Sequence, residues 1–203
     1  MLTFNAEDHS YWLDDERIPS VTEIIRFLNV DVMSSANREM RNAAAERGTR
    51  IHEACTVYDF DPDAEVDGDI AGYVKAYADF KRDYRIEEWH LFEAMLYCRD
   101  GFAGTLDRYG EIDGVPTVLD IKTGSKLNMR VHSIQLYAYK ELLRLNNYKV
   151  DQGAILHLKK NGEYSLKLVT DIRVNDDYRD IFYRCFDLHL YLKGLYEHKE
   201  EDY

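Results

Sequence analysis

The sequence predicts a mixed α/β sandwich, one central β-sheet flanked by helices. Apolar positions recur at helical spacing over 70–84 and 132–145, but switch to a period of two over 88–98, 104–112 and 115–122. The order of these segments is helices, three strands, a helix, two strands, a helix; a helix between strands can supply the right-handed crossover of a parallel pair. Composition agrees: 203 residues, 45% hydrophobic and 32% charged, suit a globular chain with a real core.

The elements follow in order. "LTFNAEDHSYWLD" (2–14) reads as a small β-hairpin. Ser20, with Glu23 three residues on, forms a capping box that starts a helix in "IPSVTEIIRFL". Residues 36–60 are rich in Ala, Glu and Arg and predict a second helix, weakened at Gly48. The acidic stretch 59–69 predicts a solvated loop, and 70–84 a third, amphipathic helix. After the three strands and the helix of 132–145, "VDQGAILHLKKNGEYSLKLVTDI" (150–172) predicts a second hairpin turning at Asn161-Gly162. Residues 176–198 predict a long closing helix. We expect a single domain: 1–85 an N-terminal hairpin and helices, 86–175 the sheet core, 176–203 the C-terminal helix.

Function enters at "GTLDRYGEIDGVPTVLDIKTG" (104–124). Asp113-Gly114 is a strong two-residue hairpin signal. With that pair in the turn, facing residues have numbers that sum to 227, and Asp107 falls opposite Asp120. Two carboxylates about 5 Å apart repel by about 3 kcal/mol at an effective dielectric near 20, and like charges directly opposed destabilise a sheet. Lys122 shares a face with Asp120. A divalent cation between the carboxylates would turn repulsion into attraction, since hard cations prefer oxygen ligands. The plainer alternative is a cross-strand ion pair of Asp107 with Lys122, leaving Asp120 solvated.

Four motifs in one order now carry a resemblance: "PSVTEII" (19–25), "RGTRIH" ending at His52, G-x-x-D (Gly104 to Asp107) with D-x-K (Asp120 to Lys122), and "QLYAY" from Gln135 to Tyr139. Together they resemble the PD-(D/E)xK nuclease superfamily, in its RecB-like, phage-type exonuclease branch. The resemblance implies a restriction-endonuclease-like fold, with a mixed central sheet flanked by helices and a small N-terminal hairpin and helical segment. It implies one or two Mg²⁺ or Mn²⁺ ions held by His52, Asp107, Asp120 and the carbonyl of Ile121. Lys122 would be the catalytic lysine, and Gln135 and Tyr139, four apart on one helix face, would help hold DNA or that lysine. Arg47 and Arg50 flank the histidine motif and are candidates to meet phosphates, with solvated helix charges as the plainer alternative. Some relatives carry an acid near Glu93. Leu106 stands where the family's nominal proline would be. No C-terminal cysteine group exists, so no iron–sulfur cluster is expected.

The substrate so implied is DNA, with linear ends preferred, and a recombination or single-strand-annealing protein is a candidate partner. The work would belong to phage or bacterial DNA processing, recombination or repair. Net charge of −12 excludes indiscriminate nucleic-acid binding but not a local site organised by metal. Without a signal-peptide pattern or a run of about 20 apolar residues, a cytoplasmic location away from membranes is expected. The three cysteines suggest neither disulfides nor a CxxC metal site, and His90, His132, His157 and His189 read as structural or surface groups. Two other function classes remain in view: a nuclease-fold module that binds nucleic acid or protein without cutting, and a glycosidase using paired carboxylates.

Overall fold

Turn and cap chemistry set most element boundaries. The structure, a computed structural model, describes residues 1–5, 10–28, 36–99, 101–172 and 176–194. β1 (Leu2–Asn5) and β2 (Ser10–Leu13) pair as the expected N-terminal hairpin. A strand that the sequence reading missed, β3 (Glu16–Ile18), extends it through a turn with Asp14 and Asp15 at φ 48° and 71°. Ser20 caps α1 (Val21–Ile25) reciprocally: its hydroxyl accepts the Glu23 N–H at 3.1 Å, and the Glu23 carboxylate accepts the Ser20 N–H at 3.0 Å. Such caps contribute about 1 kcal/mol. A single 3₁₀ turn follows over Arg26–Leu28, and then α2 (Ala36–Phe60) and α3 (Ala71–Asp83).

The central sheet runs in the order β4 (Leu91–Cys98), β5 (Phe102–Ile112), β6 (Val115–Lys122), β7 (Gln152–Leu158), β8 (Tyr164–Val169). All neighbours are antiparallel except β6 and β7, which α4 (Met129–Leu145) connects in parallel. It is thus a mixed sheet flanked by helices, as the motifs implied. α1, α4 and α5 (Asp176–Leu192) cover one face through Phe102, Leu106, Val118 and Ile155. α2 and α3 cover the other through Ile112, Leu119, Ile121 and Leu156.

Asp113 and Gly114 form the β5–β6 turn at φ 52° and 75°, and the ladder from Ile112↔Val115 to Arg108↔Leu119 follows the predicted register. The second hairpin turns at Asn161-Gly162, as expected. Leu158↔Tyr164 leaves an odd-length loop, with Lys159 N–H bonding Glu163 O at 2.9 Å and Gly162 at φ 86°. A two-residue turn at Asn161-Gly162 would slip the register by one and turn Tyr164 and Leu166 away from the α2/α3 core that they pack against.

Strict alternation fails at one level. On β5, Leu106 packs in the α1/α4/α5 layer, whereas Arg108 bonds Asp59 of α2 and Tyr77 of α3 on the opposite face. Between them the ladder skips one facing position: Ala94↔Leu106 and Phe92↔Arg108 pair, but Glu93 and Asp107 do not. Glu93 lies at φ 43°, a left-handed conformation that costs a non-glycine residue about 1–3 kcal/mol.

Gly104 admits the Tyr139 ring against β5. A Cβ there would lie 3.0 Å from Tyr139 Cε1, 3.2 Å from Val21 and 3.3 Å from Leu142. Gly104→Ala is therefore expected to lower stability by about 1–3 kcal/mol, measured as a shift of the urea midpoint; an unshifted midpoint would show that the layer yields freely. All three cysteines are free and buried. Among the described residues, no helix is long and apolar enough to cross a membrane.

Candidate metal centre

The two hairpin registers build the site. The β4–β5 connection spans 99–101, with Gly101 at φ 95°, and its register sets Glu93 opposite Asp107. The β5–β6 register, continued one step past Arg108↔Leu119, sets Asp107 opposite Asp120. Three carboxylates thus form a row across three adjacent strands. The sequence reading saw two of them and left Glu93 undecided. The signal for the third was the glycine-containing three-residue turn in "CRDGF" (98–102), which fixes the β4–β5 register as Asp113-Gly114 fixes the next.

α2 brings His52 to one end of the row. Its Nδ1 lies 3.4 Å from Asp107 Oδ1 and 3.9 Å from Glu93 Oε1. One ligand atom from each of His52, Glu93 and Asp107 lies within 4.8 Å of the others, a set that could hold a metal ion. Asp107 Oδ2 accepts the Ile121 N–H at 2.6 Å, so β6 fixes the Asp107 carboxylate.

The other end of the row meets α4. Lys122 Nζ donates to Asp120 Oδ1 at 3.0 Å and to Gln135 Oε1 at 3.1 Å; Gln135 Nε2 donates to Tyr139 OH at 3.1 Å. Gln135 and Tyr139 therefore act on the lysine rather than pointing away from the protein. Asp120 is 2% exposed, which disposes of the alternative with a solvated Asp120 and an Asp107–Lys122 pair. Asp120 Oδ2 lies 2.8 Å from the same Nζ as an ion pair, and no other described side chain donates to it. A buried carboxylate oxygen with an open lone pair, in a row of like charges, fits a cation.

The basic residues divide. Arg50 is committed to Asp67 and Asp69 at 2.9 Å. Arg47 is half-buried on α2 with its Nε unpartnered, and it makes no ion pair with the row. His157, facing Lys122 across β6–β7, bonds the Gly124 carbonyl at 2.6 Å and anchors the turn after β6. His189 is a buried residue of α5.

Charge follows geometry. Burial alone would lower His52, but Asp107, with Glu93 and Asp120 behind it, raises it to about 9. Burial would raise Asp107, yet His52, Lys122 and the Ile121 N–H hold it below the ordinary carboxylate value. Burial lifts Asp120 despite Lys122, and Asp107 adds to the rise. Burial and the Asp107 charge likewise lift Glu93. Lys122, which burial would lower, is raised by Asp120 and Asp107. His132 is depressed to about 4 by burial and the Lys122 charge, and stays neutral.

Metal binding at His52 requires the neutral imidazole. With its pKa raised to about 9, Mn²⁺ affinity should climb about tenfold per pH unit from 7 to 9, then level off. At pH 7 it should be about a hundredfold below the plateau. The linked stability runs the other way: the His52–Asp107 attraction is fully present below about 6.5 and is lost as pH rises through about 9. Anaerobic Mn²⁺ titrations across this range check it, and a flat profile would remove His52 from the ligand set.

No family model matches the chain, and no curated protein matches it. Among solved structures it is similar to the protein SSO0001 (14% identity, TM-score 0.49, 90% of this chain and 79% of that one). It is also similar to a phage-related exonuclease from Haemophilus somnus 129PT (10%, 0.41, 87% and 95%) and a candidate exonuclease from Eubacterium rectale (15%, 0.46, 85% and 74%). At this distance the chemistry has to be argued from the chain's own residues.

Proposed function

We propose that this chain is a divalent-metal-dependent deoxyribonuclease of the PD-(D/E)xK type, acting as an exonuclease on linear DNA. The observation that carries the reading is the gathering of His52, Glu93 and Asp107 within ligand distance of one another, with the buried Asp120 and its Lys122 partner beside them. Arg108, His52 and Lys122 each offset one carboxylate of the row, and a divalent cation between the carboxylates would add to that offset.

Asp107, Asp120, Glu93 and His52 would hold Mg²⁺ or Mn²⁺, with the carbonyl of Ile121 as a further ligand. Oxygen-rich donors with one imidazole suit these ions. The ion supplies positive charge at the scissile phosphate and lowers the pKa of water there. Lys122 stays protonated, and Gln135 aims its ammonium, so its role is to stabilise charge developing on the phosphate. Tyr139 fixes the Gln135 amide and, pushed well above its ordinary pKa chiefly by burial, remains a neutral phenol. Phosphate contacts by Arg47 and help from a recombination or annealing partner belong to the same proposal.

The test is digestion of end-labelled linear DNA beside closed-circular DNA, with Mg²⁺, Mn²⁺ or EDTA. Metal-dependent loss of the linear form alone supports the reading. Cutting of the circle keeps the chemistry and makes the enzyme an endonuclease. A folded protein that cuts neither with either metal overturns it.

A further inference from the structure

We propose that Arg108 is the positioning residue of this centre, a buried guanidinium fork that holds three candidate ligands in place from behind. The proposal rests on the metal reading above and goes beyond it, since Arg108 acts through the candidate ligands and is not one of them. Its side chain is fully buried. Nη1 donates to Glu93 Oε1 at 3.0 Å and to the Asp107 carbonyl at 2.7 Å. Nη2 donates to Thr56 Oγ1 at 2.9 Å, and that hydroxyl donates to the His52 carbonyl at 3.0 Å. One side chain therefore reaches the carboxylate of Glu93, the backbone of Asp107 and, through one hydroxyl, the backbone of His52.

The guanidinium is anchored at its rear: Nε donates to Asp59 Oδ2 at 3.0 Å and Tyr77 OH at 3.2 Å. Asp59 also receives Lys81 at 2.6 Å, so one carboxylate there serves two cations. Arg108 needs a second anion, and Glu93 supplies it. Glu93 in turn sits opposite Asp107 in a strained backbone, where it needs a fixed cation. Each residue makes the other tenable. A lysine carries the charge but presents one nitrogen, which cannot hold Glu93 and Thr56 together as two separated guanidinium nitrogens do.

Mn²⁺ binding by electron paramagnetic resonance tests this, with melting temperature recorded for every variant. Arg108→Lys should weaken Mn²⁺ binding about 10- to 100-fold, as loss of support behind a ligand does. Lys81→Met breaks the same network on the side away from the ligands; it should lower the melting temperature and leave Mn²⁺ affinity within about twofold. Combined with Glu93→Gln, Arg108→Lys should cost less than the product of the two single losses, because part of its effect passes through Glu93. Should Arg108→Lys not fold, Thr56→Val carries the test: it cuts only the relay to His52 and should weaken binding about fivefold, as for one hydrogen bond. Unchanged affinity in a folded Arg108→Lys or Thr56→Val overturns the proposal, as does an equal loss in Lys81→Met. Wild-type protein that binds no Mn²⁺ overturns it together with the metal reading. If the wild type binds Mn²⁺ but cuts no DNA, only the nuclease reading falls, and the affinity ratios still decide Arg108.

Discussion

Asp120→Asn is expected to lower the rate of metal-dependent DNA cleavage by at least about a thousandfold and to weaken Mn²⁺ binding strongly, while the protein stays folded. The substitution keeps volume and removes one charge. Asp120 is buried, its carboxylate pairs with the Lys122 ammonium, and the Asp107 charge acts on it from the adjacent strand. An amide there can turn its nitrogen toward the site and present a donor where a cation needs an acceptor. A bound metal contributes several kcal/mol of transition-state stabilisation, and about 4 kcal/mol is a thousandfold in rate. Lys122 keeps Gln135 as an acceptor, so the buried ammonium is not abandoned. Cleavage within tenfold of wild type would show that Asp120 is no ligand and that the chemistry lies elsewhere.

Lys122→Met should separate binding from catalysis. Its ammonium sits 2.8 Å from Asp120 Oδ2, where it competes with a metal for the carboxylate. Removing it should leave Mn²⁺ affinity unchanged or several-fold tighter. Cleavage should nevertheless fall about 10²- to 10⁴-fold, because no other described cation pairs with the row from the α4 side. The two readouts moving in opposite directions is the informative result. A parallel fall in both would mean that Lys122 supports the site's structure instead of acting on the phosphate.

The contrast between these residues and Arg108 shows what a sequence makes legible. Asp107 and Asp120 were readable because a two-residue turn fixes register without further information, and Asp113-Gly114 is such a turn. Lys122 followed from the strand period that puts it on the face of Asp120, whereas Gln135 and Tyr139 were legible only through the motif resemblance; α4 and β6 place all three in one hydrogen-bonded chain. The α1 capping box was likewise local and correctly read. The missed strand β3 was local, a short edge across the Asp14-Asp15 turn; the other misses depended on more than one element. Glu93 required two registers at once, and its left-handed backbone breaks the alternation that a period-two reading assumes. Arg108 looked like a strand residue among others; only the packing of α2 and α3 shows that its guanidinium is buried against Asp59, Thr56 and Glu93. The turn at Asn161-Gly162 falls where it was read, and its loop length keeps Tyr164 and Leu166 against the α2/α3 core.

The site also explains how an acidic chain can be suited to nucleic acid. Three of its carboxylates gather where a cation would bind, and some basic groups elsewhere are spent internally, Arg50 on Asp67 and Asp69 and Lys81 on Asp59. Affinity for DNA would then depend on the bound ion more than on a basic surface.

The most direct test of the central claim is a crystal of the protein grown or soaked with Mn²⁺ and measured for anomalous scattering. The account predicts a peak bounded by Asp107, Asp120 and His52, with Glu93 within reach and the Lys122 ammonium displaced from Asp120 Oδ2. A well-ordered row of carboxylates with no peak between them, at Mn²⁺ concentrations that saturate binding in solution, would contradict it.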